Sequence, residues 1–248
     1  MGRDGRPSHL WCEAFTDTPH RVRAVAHRTT EGPAVVTSDH YFTAQPAATA
    51  APRVVSFEIG GQPFRLQAAG GVFSASRLDP GTAVLLRKAP LPSTDAAGPL
   101  LDLGCGYGPV AIVLAHAAPA ATVYAVDVNR RALDLVEANA ASLGVADRIV
   151  ALTPGDVPPD VTFREIWSNP PIRIGKAELH AMLLTWLPRL APGGVAWLVV
   201  ARHLGADSLQ GWLIEQGMAV RRHASQKGYR ILRVENPATA DAAAEENG

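Results

Sequence analysis

The stretch LDLGCGYGP at residues 101–109 decides the fold of this chain of 248 residues. It starts as a short apolar run, continues through three glycines in the spacing G-x-G-x-G, and leads into an apolar segment from Pro109 to Ala117 that predicts a helix. A glycine-rich turn between a strand and a helix is typical of ligand-binding loops at the carboxyl edge of an open α/β sheet. The stretch therefore predicts an α/β fold with a ligand site at this turn.

The rest of the chain after residue 100 alternates between strand and helix patterns. Strands are predicted at 100–103, 122–126, 149–152, 162–167 and 195–201, and helices at 109–117, 130–143, 177–187 and 206–216. Because helices connect these strands, the strands should pair in parallel with right-handed crossovers. Two final strands, 219–223 and 229–234, are separated only by a turn at 226–228 and must form an antiparallel hairpin. The prediction is a seven-stranded, mostly parallel, Rossmann-like sheet with one antiparallel C-terminal hairpin.

A smaller β-hairpin and helix module is predicted ahead of this sheet. Strands at 54–59 and 64–67 flank Gly60-Gly61, a dipeptide that permits positive φ in a tight turn. Asp79-Pro80 opens a helix to about Lys88, because Asp caps free N–H groups and Pro suits the first helical position. We expect four regions: a weakly ordered extension at 1–37, this module at 38–90, the main domain at 91–234 and an acidic, disordered tail at 235–248.

Composition excludes several classes of protein. Hydrophobic residues make up 47% and charged residues 19%, which excludes wholesale disorder, and no apolar run approaches the roughly 20 residues of a membrane span. The two cysteines, Cys12 and Cys105, exclude a disulfide framework or a four-cysteine zinc site. We therefore expect a cytoplasmic protein without a membrane or metal partner. Lys and Arg balance Asp and Glu at 23 each, although residues 221–234 hold five basic residues and no acid.

The glycine loop does not match a dinucleotide fingerprint. Counting from Gly104, the position that should hold a third small residue is occupied by Pro109. Asp102 lies two residues ahead of the first glycine, where a carboxylate would repel a pyrophosphate but would pair well with a cationic amino group. The glycines allow the backbone to approach a ligand closely.

Two further acids follow the next strands. Asp127 ends the second strand, where its carboxylate could accept hydrogen bonds from both ribose hydroxyls of a cofactor; this also fits NAD and does not discriminate. Asp156 follows the third strand and could accept from an adenine amino group, or it is simply a loop residue.

The fourth strand ends in SNPPI, residues 168–172. Two prolines after a strand stiffen the chain and fix the direction of the preceding side chain. Asn169 would then point its amide oxygen into the cleft above the sheet. The alternative is a plain strand-terminating turn, which Asn-Pro commonly forms.

Together these residues resemble the class I S-adenosylmethionine-dependent methyltransferases of the Asn-Pro-Pro type. More closely, the chain is similar to the short-form ribosomal small-subunit RNA guanine-N2 methyltransferases. The similarity covers roughly residues 38–234. It rests on the segments 39–42, 71–74, 78–82, 102–109, 127–129, 169–176 and 227–230.

The resemblance implies S-adenosyl-L-methionine as the cofactor, and ribosomal RNA or the small ribosomal subunit as the partner, with the oligomeric state open. The implied cofactor-binding residues are Asp102, Gly104, Cys105, Gly106, Tyr107, Gly108, Asp127, Val128, Asp156, Val157 and Asn169. The implied catalytic residues are Asn169, Pro170 and Pro171. The implied substrate-binding residues are Phe73, Ile172, Arg173, Lys176, Lys227 and Arg230.

The chemistry of guanine agrees with this reading. An exocyclic amine is a poor nucleophile because its lone pair is delocalised into the ring. The Asn169 side-chain oxygen and the Pro170 carbonyl could accept its two N–H groups and aim the lone pair at the methyl group. Related enzymes often carry an aromatic residue after Asn-Pro-Pro that stacks on the base, and here Ile172 occupies that place. The stacking partner is therefore open, with Phe73 and Trp167 as candidates, of which Trp167 fits the core better.

Three alternatives stay open at this point. A protein glutamine or DNA adenine methyltransferase would also present an amide or amine to Asn-Pro-Pro. A small-molecule N-methyltransferase would need a lid, for which residues 1–37 could serve. A binding module that has lost catalysis is disfavoured because Asp102, Asp127 and Asn169 are all intact.

Overall fold

A computed structural model describes residues 53–70 and 77–237. The segments 1–52, 71–76 and 238–248 lie outside the described residues. These segments include the predicted extension at 1–37, Phe73 and most of the predicted acidic tail. The side chain of Arg173 is also outside the description.

A seven-stranded sheet forms the centre of the fold, with the strand order β5-β4-β3-β6-β7-β9-β8. Its strands are β3 (Gly98–Leu103), β4 (Ala121–Val126), β5 (Ile149–Leu152), β6 (Phe163–Ser168), β7 (Leu190–Ala201), β8 (Ala219–Gln226) and β9 (Tyr229–Glu235). The first five pair in parallel, and β9 runs antiparallel to both β7 and β8. The predicted sheet and its C-terminal hairpin are confirmed.

Within the described residues, five α-helices and a separate two-stranded hairpin surround this sheet. The helices are α1 (Pro80–Lys88), α2 (Pro109–Ala117), α3 (Arg130–Ser142), α4 (Lys176–Trp186) and α5 (Ala206–Glu215). The hairpin is formed by β1 (Arg53–Ile59) and β2 (Gln62–Ala68), and Gly60 and Gly61 both have positive φ in its turn. Asp79 caps α1 by accepting from the Thr82 N–H at 3.0 Å, and Pro80 is its first residue, as predicted.

The start of β7 differs from the prediction. The sequence predicts that Gly193-Gly194 precede the strand, whereas β7 begins at Leu190 and contains both. The register with β6 shifts between Phe163 and Glu165 at this point. A Cβ on Gly194 would lie 2.8 Å from the Ala191 carbonyl oxygen, so the missing side chain lets the strand pass close to neighbouring backbone and continue.

Two hydrophobic clusters cover the two faces of the sheet. On one face α4 and α5 pack through a stripe that includes Met182, Leu183 and Trp186, as predicted for core residues. On the other face lie α1, α2 and α3 together with the β1–β2 hairpin, whose Phe64 and Leu66 are buried in the same cluster as Leu114. The N-terminal hairpin and the sheet therefore share one core, and each large side chain buried there contributes roughly 1.5–3 kcal/mol. None of the described helices is long and apolar enough to cross a membrane.

Candidate active site

The switch point of the sheet lies between β3 and β6, since β4 pairs on one side of β3 and β6 on the other. Open α/β sheets bind ligands in the crevice at the carboxyl ends of the strands at such a point. The glycine loop follows β3 and the Asn-Pro-Pro loop follows β6, so both face this crevice. They are close: a Cβ on Gly104 would lie 4.0 Å from Cδ of Pro171.

The glycine loop adopts a backbone conformation that other residues rarely take. Gly104, Gly106 and Gly108 have φ values of +75°, +54° and +89°. A Cβ on Gly106 would have no heavy atom within 4 Å, whereas one on Gly108 would lie 3.1 Å from Cγ2 of Val136 on α3. Gly106 therefore offers bare backbone to a ligand, and Gly108 allows α2 and α3 to pack closely.

Asp102 lies at the bottom of the crevice and is 2% exposed. Its Oδ2 accepts from the Ala111 N–H at 2.9 Å, in the first turn of α2. Burial raises the pKa of Asp102 to about 7, and the nearby charge of Asp127 acts in the same direction. A cation bound beside this carboxylate would stabilise its ionised form.

Asp127 ties the ends of β3 and β4 together. Its two oxygens accept from the Gly106 N–H and the Asn129 N–H, each at 2.9 Å. Burial raises the pKa of Asp127, opposed by these backbone N–H groups. Each carboxylate oxygen has a second lone pair, so Asp127 can still accept from a ligand hydroxyl.

A cavity of about 30 Å³ lies between the two loops, with room for a water-sized group. Two carboxylates contribute to its wall, and none of the residues that the structure shows lining it is Lys, Arg or His. The Tyr107 hydroxyl is buried and has no hydrogen-bond partner among the described residues, and burial together with the charge of Asp79 raises its pKa. The lining residues are Asp79, Thr82, Asp102, Gly104, Cys105, Gly106, Tyr107, Pro109, Val110 and Asn169. An acidic cavity without a basic side chain favours a cationic group over a phosphate.

Asn169 is held by α1. Its Nδ2 donates to Oδ1 of Asp79 at 2.7 Å and to Oγ1 of Thr82 at 3.0 Å. Both amide N–H groups are therefore engaged, and Oδ1 remains as the acceptor that Asn169 presents. The sequence predicted Asp79 only as a helix cap and gave Thr82 no role. The signal that could have found them is their place in segment 78–82, which carries part of the resemblance.

The Asn-Pro-Pro backbone continues into a tight turn. Pro170 is buried, and its carbonyl oxygen accepts from the Ile172 N–H at 2.8 Å, which leaves one lone pair available. The Pro171 carbonyl accepts from the Ile174 N–H at 3.0 Å. These bonds hold the carbonyls of the loop in place.

Several of the other predicted site residues are placed by the structure as follows. Trp167 is fully buried, with its ring centroid 6.2 Å from that of Trp197, so it belongs to the core and cannot stack on a base. Ile172 is half-buried against the cluster around α4. Asp156 is exposed and accepts from Oγ1 of Thr153 at 2.5 Å.

The remaining predicted residues lie around these. Val157 is buried in the core, so only its backbone can face a ligand, and Val128 is half-buried beside Asp127. Cys105 is buried and its N–H donates to the Val126 carbonyl at 3.1 Å. Lys176 is exposed at the start of α4.

The two basic residues predicted on the C-terminal hairpin differ in their surroundings. Lys227 is exposed in the turn between β8 and β9. Arg230 forms an ion pair with Asp207 of α5, so a nearby carboxylate already compensates its charge.

Asn139 has a structural role that the sequence analysis missed. It is fully buried on α3, where its Oδ1 accepts from the Gln67 N–H at 2.7 Å and its Nδ2 donates to the carbonyls of Gln67 and Tyr107 at 3.0 and 2.9 Å. It thereby connects the N-terminal hairpin to the glycine loop. Nothing in the local sequence distinguishes it from a solvent-exposed helix residue.

A switch-point crevice with a G-x-G-x-G loop, two buried acids and an Asn-Pro-Pro amide, on a seven-stranded sheet with a reversed β9, defines a class I methyltransferase. The methyltransferase small domain family matches residues 63–233, and the chain belongs to this family.

Comparison with known proteins agrees with this assignment. The chain is 32% identical over 200 residues to the Bacillus subtilis protein YbxB, covering 79% of this chain and 98% of YbxB. It is 35% identical over 140 residues to the ribosomal RNA small subunit methyltransferase C of Shewanella baltica, which is 54% of this chain but only 38% of that relative. The structure of the Thermus thermophilus 16S rRNA N2 G1207 methyltransferase with AdoMet and guanosine superimposes with a TM-score of 0.64 at 26% identity, covering 77% of this chain and 52% of that one.

Proposed function

We propose that this protein transfers the methyl group of S-adenosylmethionine to the N2 amine of a guanine in small-subunit ribosomal RNA. The observation that carries the proposal is the fixed orientation of Asn169, whose amide oxygen is presented as an acceptor beside an acidic cavity. Two relatives support the substrate, because one is named a small-subunit rRNA methyltransferase and the other is described as an N2 guanine enzyme bound to guanosine. With such a substrate, we expect the protein to act in the cytoplasm.

The residues of the crevice fit S-adenosylmethionine. This cofactor carries a cationic amino group and a sulfonium. Over the part of the chain that the structure describes, the cavity is lined by carboxylates and by Tyr107, whose hydroxyl has no partner there, and by no basic side chain. We propose that Asp102 faces the amino group, that Gly104 and Gly106 let the backbone approach, and that Asp127 accepts from the ribose. Val128, Asp156 and the backbone of Val157 would border the adenine.

When bound, S-adenosylmethionine supplies an electrophilic methyl group on its sulfonium. The Asn169 oxygen and the Pro170 carbonyl would accept the two N–H groups of the guanine amine, with Pro171 fixing the loop. This directs the nitrogen lone pair towards the methyl group and stabilises the positive charge that develops on nitrogen. The proton can leave after the transfer, so no strong base is required. Preorganised polar groups of this kind typically contribute 10²–10³ in rate, about 2.7–4 kcal/mol.

Three of the predicted substrate residues follow this amide closely in the sequence. We propose that Ile172 contacts the guanine and that Lys176 and Arg173 approach the RNA backbone after the catalytic loop. Phe73 stays a proposal for base stacking.

Methyl transfer to small subunits that lack the modification tests this function. With labelled S-adenosylmethionine, the wild type should label 16S-type rRNA at guanine N2, and Asn169→Ala should lower kcat and kcat/KM together while the cofactor binds nearly normally. Thr185→Ala, an exposed change on α4, is the control and should retain full activity. Labelling of DNA adenine, protein glutamine or a small amine, with none in rRNA, would refute the proposal.

A further inference from the structure

A second, larger pocket lies on the C-terminal hairpin, outside the crevice. Its volume is about 360 Å³. The lining comes from the segment after β7, from both strands of the hairpin and from the turn between them. The lining residues are Arg202, Arg222, Ser225, Gln226, Lys227, Gly228, Tyr229 and Arg230.

The pocket is positively charged. Arg202, Arg222 and Lys227 are exposed cations from three separate places in the chain. Arg230 is 13% exposed in its side chain and is paired with Asp207, so it contributes a compensated charge to the wall. Among the described residues, none that lines the pocket is acidic, and none forms an ion pair with these three cations. Three such cations around one concave surface attract a compact anion, and arginine can donate two parallel hydrogen bonds to a phosphate.

The frame that carries these cations is fixed. The turn residues Lys227 and Gly228 have φ values of +50° and +79°, which close the hairpin in two residues. The Arg202 N–H donates to the Gly228 carbonyl at 2.8 Å and joins the turn to the end of β7. Arg222 lies on β8, and the backbone at Arg202 and Lys227 is held to the ends of the strands by this turn and this hydrogen bond. Such a fixed backbone lowers the entropic cost of binding an anion there.

Tyr229 joins this pocket to the catalytic amide. Tyr229 lines the pocket, and its ring packs against α1, where a Cβ on Gly81 would lie 3.0 Å from the Tyr229 Cε1 and 3.3 Å from Oδ1 of Asn169. One residue thus contributes to the basic pocket and also lies near the acceptor that would hold the target amine.

We propose that this pocket binds a backbone phosphate of the substrate RNA close to the target guanine. This inference rests on the proposed function, and it assigns the contact to Arg202, Arg222 and Lys227 rather than to the whole basic segment 221–234. RNA is favoured over an acidic protein because the pocket is concave and adjoins the amide that accepts a base amine. An anchored phosphate would orient the flanking nucleotide before methyl transfer.

The test measures binding of a single-stranded RNA 12-mer that contains one guanine, between 50 and 200 mM salt. The variant is Arg202→Gln/Arg222→Gln/Lys227→Gln, and the control is Arg53→Gln/Arg65→Gln/Arg164→Gln, which removes the same charge from exposed positions elsewhere. Each phosphate contact on a single strand contributes about 0.7 to the log–log salt slope, so the variant, which loses one phosphate contact, should lose about 0.7 units of slope. Across this fourfold salt range, the wild type should lose about 2.5- to 3-fold more affinity than the variant.

Each outcome decides a separate claim. An unchanged salt slope in the variant, or an equal loss of slope in the control, overturns the proposal that this pocket binds a phosphate. The proposed function stays intact in that case, because methyl transfer is measured independently. An equal loss of binding to a poly-glutamate peptide overturns the RNA assignment in favour of an acidic protein. Normal cofactor affinity and an unchanged unfolding midpoint in the variant show that the effect comes from the pocket and not from misfolding.

Discussion

At the scale of single residues, the direction of the Asn169 amide depends on two side chains of α1. Asp79 and Thr82 accept both of its N–H groups, at 2.7 and 3.0 Å. Thr82 is buried, so its hydroxyl cannot be replaced by solvent without rearrangement. These two residues act through Asn169, and we regard them as positioning residues.

We expect Thr82→Val to lower kcat by about tenfold or more with little change in S-adenosylmethionine affinity. Valine removes one acceptor from the Asn169 amide while keeping the side-chain shape, and the amide can then rotate away from its productive direction. One hydrogen bond of this kind is worth about 1–1.5 kcal/mol. Thr82→Ser restores the hydroxyl and should recover most of the rate. Normal kcat in Thr82→Val together with a loss in Thr82→Ser would show that Thr82 matters only for packing.

The Asp102 carboxylate predicts a pH dependence for cofactor binding. Its pKa is raised to about 7 by burial, so it is largely protonated at pH 6 in the free protein. A cationic ligand favours the ionised form, so S-adenosylmethionine affinity should rise between pH 5.5 and 7.5, by at most about tenfold per pH unit for one linked proton. Calorimetry across this range tests it, and Asp102→Asn should bind weakly without the pH dependence. A pH-dependent affinity in that variant would assign the proton to another group.

Rising pH strengthens cofactor binding through Asp102, but through the same carboxylate it lowers the stability of the ligand-free protein. Because the folded pKa lies above that of the unfolded chain, its contribution is fully present below about pH 4 and is lost as pH rises through about 7. For this group alone, the ligand-free protein is therefore less stable at pH 8 than at pH 5, and bound cofactor should offset that loss.

Asp127→Ala should weaken S-adenosylmethionine binding by about 1.5–3 kcal/mol, since a charged acceptor is lost. The glycine loop also loses its bond from the Gly106 N–H, which adds to the effect. Calorimetry measures the change, with Glu137→Ala on the exposed face of α3 as the control. Unchanged affinity, or tight NAD binding by the wild type, would contradict the assignment of Asp127.

At the scale of elements, Asn139 couples the N-terminal hairpin to the glycine loop through α3. Its three hydrogen bonds reach β2 and the Tyr107 carbonyl, and the Asn139 side chain itself is fully buried. The cofactor loop is thus supported by an element from another part of the chain.

We expect Asn139→Ala to lower the free energy of unfolding by at least about 1–3 kcal/mol, because it leaves buried backbone groups without partners. Urea titration measures this loss. Glu137→Ala, a change on the exposed face of α3, is the control and should have little effect. A weaker S-adenosylmethionine affinity in Asn139→Ala would show that the hairpin supports the glycine loop. Stability close to that of the wild type would show that the Asn139 hydrogen bonds do not hold the hairpin to α3.

At the scale of the whole molecule, the hairpin, α1 and one face of the sheet share a single hydrophobic cluster. The part of the chain predicted as a separate module at 38–90 is therefore, over its described residues, packed into the core of the main domain. Cooperative unfolding follows from such shared burial.

A tryptophan at position 57 would report on the hairpin directly, since Phe57 stacks on Phe64 at a centroid distance of 5.4 Å. In a variant with the native tryptophans replaced by phenylalanine, the urea midpoint of Phe57→Trp fluorescence should coincide with that of far-UV circular dichroism. An earlier fluorescence midpoint would show that the hairpin unfolds as an independent unit.

Local patterns in the sequence determined most of the fold and the existence of the site. The alternation of strands and helices, the Asp79-Pro80 helix start and the Gly60-Gly61 turn are set by contacts and torsions within a few residues. The glycine loop and Asn169-Pro170-Pro171 are equally local, because their backbone conformation depends on glycine and proline themselves. The predicted start of β7 was wrong, because a glycine pair in the sequence can mark either a turn or a place where strands approach closely.

Only the tertiary structure decided which distant residues meet. Asn169 and Asp79 are separated by 90 residues, and Asn139 and Gln67 by 72, so no short pattern connects them. The same holds for Arg230, which looks like a free cation in the sequence until α5 brings Asp207 against it. The physical reason is that helices and strands form from short-range preferences, whereas side-chain partners follow from how the layers pack over one core.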